Sequence, residues 1–143
     1  MKSSVILLDF DGTVVTHEYP KVGKDIGAVP VLKALTDNGH KLILFTMRSG
    51  KELKEALDWF TGHDIPLWAV NENPDQWRWT SSPKVHGNYE IDDRAIGCPV
   101  IRPIDGSRPY ADWHSIIYYL EMEGLITPDQ RGELLEPFKE LYP

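Results

Sequence analysis

Cysteine is nearly absent from this chain: Cys98 stands alone among 143 residues, so no intrachain disulfide can form. A fold without such staples must rest on an apolar core, and this length suffices for one. A lone thiol fits a reducing cytoplasm. Its expected role is that of a small buried hydrophobe. No apolar run reaches the roughly 18 residues of a membrane-spanning helix. The start, Met1-Lys2-Ser3-Ser4, leads straight into a strand and lacks the pattern of a cleaved signal. Positive charge is also scarce. A net charge of −7 argues against an extended grip on nucleic acid through clustered Lys and Arg. It leaves open a local site for a nucleic-acid end. No basic amphipathic stretch points to a membrane surface. His17, His40, His63, His86 and His114 show neither HxxxH nor HExxH spacing. They are expected at the surface or in loops, and none as a zinc ligand. Pro and Gly are scattered without a low-complexity block or repeat, so 1–143 reads as a single domain.

What is present is an alternation of strand and helix patterns. Residues 4–10 read as a first strand and 41–46 as a second. Between them, Pro30 suits the first turn of a helix over 29–38, and Gly39 its end. Val31, Leu32 and Leu35 give that helix an apolar face. Ser49 and Glu52 match a capping box. Leu53, Ala56, Leu57 and Phe60 then recur at helical spacing. Residues 67–70 and 88–92 read as the third and fourth strands. Residues 100–104 read as a fifth, near an edge because of Pro103. Asp112 suits the N-cap of a helix over 112–123, and Gly124 its stop. Thr127, Pro128 and Gln130 open a last helix that Pro137 interrupts. The pattern predicts an α/β fold, a five-stranded parallel sheet with helices on both faces.

The chemistry concentrates at strand ends. Val5-Ile-Leu-Leu-Asp-Phe-Asp-Gly-Thr13 delivers Asp9 and Asp11 from a buried strand into a Gly-containing turn. Taken alone, the two acids also suit a turn before Gly12. Crowded carboxylates repel unless a cation or a shared proton relieves them. A hard cation is the simple answer, and Mg²⁺ is the usual one beside phosphate. Thr46 ends the second strand. Asp92 and Asp93 end the fourth, with Lys84 upstream. In a parallel sheet those ends share one edge, where ligands bind.

These residues resemble the four motifs of the haloacid dehalogenase (HAD) superfamily of phosphatases and phosphotransferases. Asp9-Phe-Asp-Gly-Thr13 is similar to motif one, Leu44-Phe-Thr46 to motif two, Lys84 to motif three and Ile91-Asp-Asp93 to motif four. The resemblance covers positions 5–104. Thr46-Met-Arg48, Asn71-Glu-Asn-Pro74 and Ile91-Asp-Asp-Arg94 look like a small capless branch. Neither interval between the motifs holds a separate domain, so the resemblance implies a Rossmann-like core without a cap.

It further implies a Mg²⁺-dependent hydrolysis of a phosphomonoester through an aspartyl-phosphate. Asp9 would be the nucleophile and Asp11 the acid/base. Thr46 would hold phosphoryl oxygens, and Lys84 would offset charge on Asp9 and the phosphoryl group. Asp9, the Asp11 carbonyl and Asp93 would hold the metal, with Asp92 in its outer shell. Arg48 would reach phosphate or pair with a neighbouring acid. Asn71, at the end of the third strand, is a candidate for substrate contact. Trp77 and Trp79 are expected to pin the loop 71–83 to the domain; stacking on a base or sugar is the alternative. With no cap, the segment 14–24, the Trp loop, a neighbouring subunit or a bulky substrate must exclude water. The expected partner is a phosphorylated small molecule or macromolecular end. Two other readings stand beside it: a phosphatase of nucleic-acid 3′ or 5′ ends, and a phosphate- or Mg²⁺-binding regulatory module without turnover.

Overall fold

The computed structural model describes residues 1–141 and places the most apolar segment at the centre of a parallel sheet. β1 (Val5–Leu8) is flanked by β2 (Lys41–Leu44) and β4 (Tyr89–Ile91), with β3 (Ala69–Val70) beyond β2. The order is β3-β2-β1-β4, and every pairing is parallel. Leu8 is the register partner of both Leu44 and Ile91. The chain therefore leaves β1 in one direction and later returns to its other side. This makes the β1–β4 boundary a topological switch point, where such sheets open a crevice.

The helices form where local chemistry marks them. α1 (Val29–Asp37) has proline in its first turn and buries Val31, Leu32 and Leu35. Gly39 follows it in a left-handed conformation. α2 (Gly50–Gly62) buries Ala56 and Phe60. Ser49 takes the extended N-cap backbone, but its side chain makes no cap bond, so the expected capping box is not formed. The box at α4 (Pro128–Leu135) is complete: Thr127 Oγ1 accepts from Gln130 N, and Gln130 Oε1 accepts from Thr127 N. Asp112 caps α3 (Trp113–Met122). Pro137 ends α4 in a 3₁₀ turn, Glu136–Phe138. No helix is long and apolar enough to cross a membrane among the described residues.

Two further expectations are corrected. First, the fifth segment does not join the main sheet. β5 (Val100–Ile101) pairs antiparallel with β6 (Tyr110–Ala111) as a separate ribbon, leaving a four-stranded sheet among the described residues. Pro99 and Pro103 bracket β5, and a segment missing those donors cannot sustain a longer ladder. Second, the helices do not divide between the faces. Ile6, Leu8, Leu42 and Leu44 share one apolar cluster with buried residues of α1, α2 and α3 and half-buried residues of α4. The opposite face carries Leu7. There the loop 71–88 lies against the sheet, and a Cβ on Gly87 would sit 2.7 Å from Leu7 Cγ. Crossover handedness explains this. The steps β1→β2→β3 run one way, so right-handed connections put α1 and α2 on the same face. The return from β3 to β4 passes over the other face, and it contains only a 3₁₀ turn, Gln76–Arg78.

Candidate functional site

The parallel ladder continues one rung beyond the strands. Asp9 N donates to Ile91 O at 3.0 Å, and Phe45 N donates to Leu8 O at 2.8 Å. Asp9 and Asp92 are therefore neighbours across the switch point. One carboxylate oxygen from each of Asp9, Asp92 and Asp93 lies within 4.8 Å of the others. Thr13, fully buried, ties the group together. Its Oγ1 lies 2.8 Å from Asp9 Oδ2 and 3.0 Å from Asp93 Oδ1, and it accepts from Asp93 N at 2.9 Å. One hydroxyl hydrogen serves the two carboxylates in turn. Trp113 Nε1 donates to Thr13 O at 2.7 Å and fixes the turn.

Gly12 and His17 close one side. Gly12 has φ +78°, and a Cβ there would overlap the His17 ring. His17 Nε2 lies 2.9 Å from Pro109 O and 3.4 Å from Asp93 Oδ2. His17, in a loop as expected, is thus part of the site's wall. His40 is buried, not at the surface: Nδ1 accepts from Ser4 N, and Nε2 donates to Leu125 O. The sequence named Thr13 without a role and dismissed His17. The signal for both was their place in the turn after Asp9.

The electrostatics ask for a cation. Burial, then the charge on Asp92, pushes the Asp9 carboxyl up to about 8; the hydrogen bond with Asp93 adds to this and Thr13 offsets part. No Lys or Arg lies within 4.0 Å of Asp9, Asp92 or Asp93 among the described residues. Three hard oxygen donors with no Lys or Arg beside them fit Mg²⁺.

Asp11 stands apart. Both its oxygens accept from Arg48: Nε to Oδ2 at 2.8 Å, and Nη2 to Oδ1 at 2.7 Å. The other Arg48 donors go to the carbonyls of Pro20, Lys21 and Glu52. All five N–H groups are spent, so Arg48 is not free for phosphate. It is a positioning residue for Asp11. The Asp11 carboxylate is not in the acidic cluster, and as an acid it would have to release one guanidinium bond.

Asn71 is likewise engaged. Its Oδ1 accepts from Thr46 N at 2.9 Å, and its Nδ2 donates to Thr46 O at 3.0 Å. The side chain, on a backbone with φ +53°, clamps the ends of β2 and β3. Thr46 Oγ1 accepts from Arg48 N at 3.1 Å and keeps its own hydrogen to donate. Lys84 makes no ion pair among the described residues. It lines a cleft of about 890 Å³ with Phe45, Asn71, Trp79 and Glu90.

No protein-family model matches the chain, and no curated protein does. The solved structure of a conserved protein from Bacteroides thetaiotaomicron is 31% identical and covers 99% of both chains, with a TM-score of 0.66. That likeness carries fold and family, and no activity.

Proposed function

The chain belongs to the same family as the conserved Bacteroides thetaiotaomicron protein, and for it we propose HAD-type, Mg²⁺-dependent hydrolysis of a phosphomonoester through a phosphorylated Asp9. One observation carries the reading: Asp9, Asp92 and Asp93 converge at the switch point with no Lys or Arg paired to them among the described residues. Those three acids would hold the metal, which would supply positive charge for the phosphoryl oxygens. An Asp9 oxygen attacks phosphorus, the ester P–O bond breaks, and the leaving oxygen takes a proton. Water then attacks the phosphorus and loses a proton, and the bond to Asp9 breaks, returning the carboxylate. Thr46 donates to a phosphoryl oxygen, and Lys84 lies on a cleft wall from which a flexible ammonium reaches phosphate as a point charge. Asp11 handles the protons only when one Arg48 bond gives way. The lone Cys98 fits a cytoplasmic setting.

The test is release of phosphate from an aryl phosphate by purified protein, with Mg²⁺ and with EDTA. Activity should require Mg²⁺ and fall at least about 10³-fold in Asp9→Asn. Undiminished turnover by that variant would overturn the assignment. The double engagement of Asp11 by Arg48 favours a second reading, a Mg²⁺- and phosphate-binding module without turnover. Calorimetric Mg²⁺ binding without phosphate release from any of a panel of esters would select it.

A further inference from the structure

We infer that His17 is the positioning residue for Asp93: its Nε2–H, held in place by the β5–β6 hairpin, sets the direction in which Asp93 offers its oxygens to the metal. Only the metal end of this inference rests on the proposed Mg²⁺ site.

The turn after Asp9 puts His17 beside the acids. Asp9-Phe-Asp-Gly-Thr13 bends at Gly12, and the chain comes back so that the His17 ring lies over that glycine. Glycine serves there twice: it takes the positive φ of +78°, and it leaves the space that a Cβ would fill. Gly12 N donates to Val15 O and Thr16 N to Lys24 O, both at 2.8 Å, so backbone bonds fix the return. Of the basic side chains, His17 is the one that reaches the three acids among the described residues.

The hairpin fixes the ring. Pro109 O can only accept, so His17 Nε2 carries a hydrogen whatever the charge on the ring. Nε2 lies 2.9 Å from Pro109 O, which takes the hydrogen bond, and 3.4 Å from Asp93 Oδ2, which the same polar N–H attracts. The carbonyl is itself anchored to the turn. Ala111 N donates to Gly12 O, and Asp112 N donates to Pro99 O, both at 2.9 Å. The ring cannot swing away from Asp93 without giving up its bond to Pro109.

Asp93 is therefore gripped from both sides by one turn. Thr13 Oγ1 stands 3.0 Å from its Oδ1, and His17 stands at its Oδ2. Its side chain is only 5% exposed, so water does little to orient it. Asp92 has local support instead: its Oδ1 accepts from Arg94 N, two residues on, at 2.9 Å. A small ion with a strict octahedral shell needs its carboxylates in one orientation. Outer groups that fix a ligand's direction typically change metal affinity about 10- to 100-fold.

The test is calorimetric binding of Mg²⁺ to the full-length protein, with urea unfolding in EDTA as the control for folding. His17→Phe keeps a ring and loses the N–H; His17→Gln loses the ring and keeps an N–H at similar reach. The Phe variant should bind Mg²⁺ about 10-fold more weakly, and the Gln variant should stay within about 3-fold of wild type. If the Phe variant does not fold in EDTA, His17→Ala takes its place in the comparison. Wild-type affinity without the N–H would make the ring a spacer between hairpin and turn and overturn the inference. Equal losses with and without the N–H would do the same. Tighter Mg²⁺ binding by the Phe variant would make His17 a cation that competes with the ion, which also overturns it. The two readings fail separately. Wild-type Mg²⁺ binding that His17→Phe leaves unchanged fails His17 alone, whereas no binding by the wild type fails the metal site and the role of His17 with it.

Discussion

At the scale of single residues, the site is organised by pairings that neutralise one acid and leave three crowded. Arg48 is 3% exposed and spends every donor around Asp11. Removing it would strand a carboxylate whose side chain is only 22% exposed. Breaking a buried pair from one side is costly. Arg48→Ala should lose about 3 kcal/mol in urea denaturation. Arg48→Lys should recover only part of this, since an ammonium cannot bond both oxygens in a fork. A loss below about 1 kcal/mol would show that the pair is solvated and does not order the turn. Thr13 is the opposite case: one hydroxyl that joins Asp9, Asp93 and a backbone N–H.

At the scale of elements, the strand ends and the caps do different work. β1 and β4 present the acids because their register aligns Leu8 with Ile91. α4 is held to the body by polar contacts and half-buried Leu134 and Leu135, with no fully buried residue of its own. Gln130 serves both the capping box and a reciprocal amide pair with Asn38 after α1. Thr127→Ala should therefore cost about 1 kcal/mol. Gln130→Ala should cost more, because Asn38 also loses a partner. Amide exchange should show the effect confined to α4 and its neighbours, as local opening. Equal protection in wild type and both variants would refute the anchoring role.

At the scale of the whole molecule, the acidic cluster sets how stability depends on pH. Folded Asp9 titrates at about 8, against 3.8 for a free carboxyl. Between those values the folded chain binds more protons than the unfolded one. The stability that protonation confers is complete below 3.8 and is lost as pH rises through about 8. In EDTA, unfolding free energy should fall across that window, and Asp9→Asn should flatten the slope. Mg²⁺ should also flatten it. At about 100-fold excess over Kd, the ion should add about 2.7 kcal/mol where Asp9 is ionised. Asp93→Ala should abolish that gain. Stability in EDTA that is level or rising over the window would show that the three acids are not crowded in solution.

Local signals along the chain set the elements and the address of the chemistry. A four-residue apolar run ending in Asp9, a proline-opened helix and a Thr127–Gln130 box are local signals, read within a few residues of one another. The alternation of elements was enough for an α/β fold with Asp9, Thr46 and Asp92 at one edge. Which acids meet was settled by contacts between distant parts of the folded chain. Asp11 pairs with Arg48 across 37 positions, and Thr13 with Asp93 across 80. Such partners depend on side-chain direction at the end of a strand, which no periodicity encodes. The distribution of helices and the fate of β5 were decided there too. The first follows from the handedness of connections between particular strands. The second follows from competition between a lengthened parallel ladder and a proline-bracketed hairpin. The exposure of Trp79 was settled in the same way: Gln76 and Asn73 satisfy the loop's backbone, so the indole is not needed to hold it.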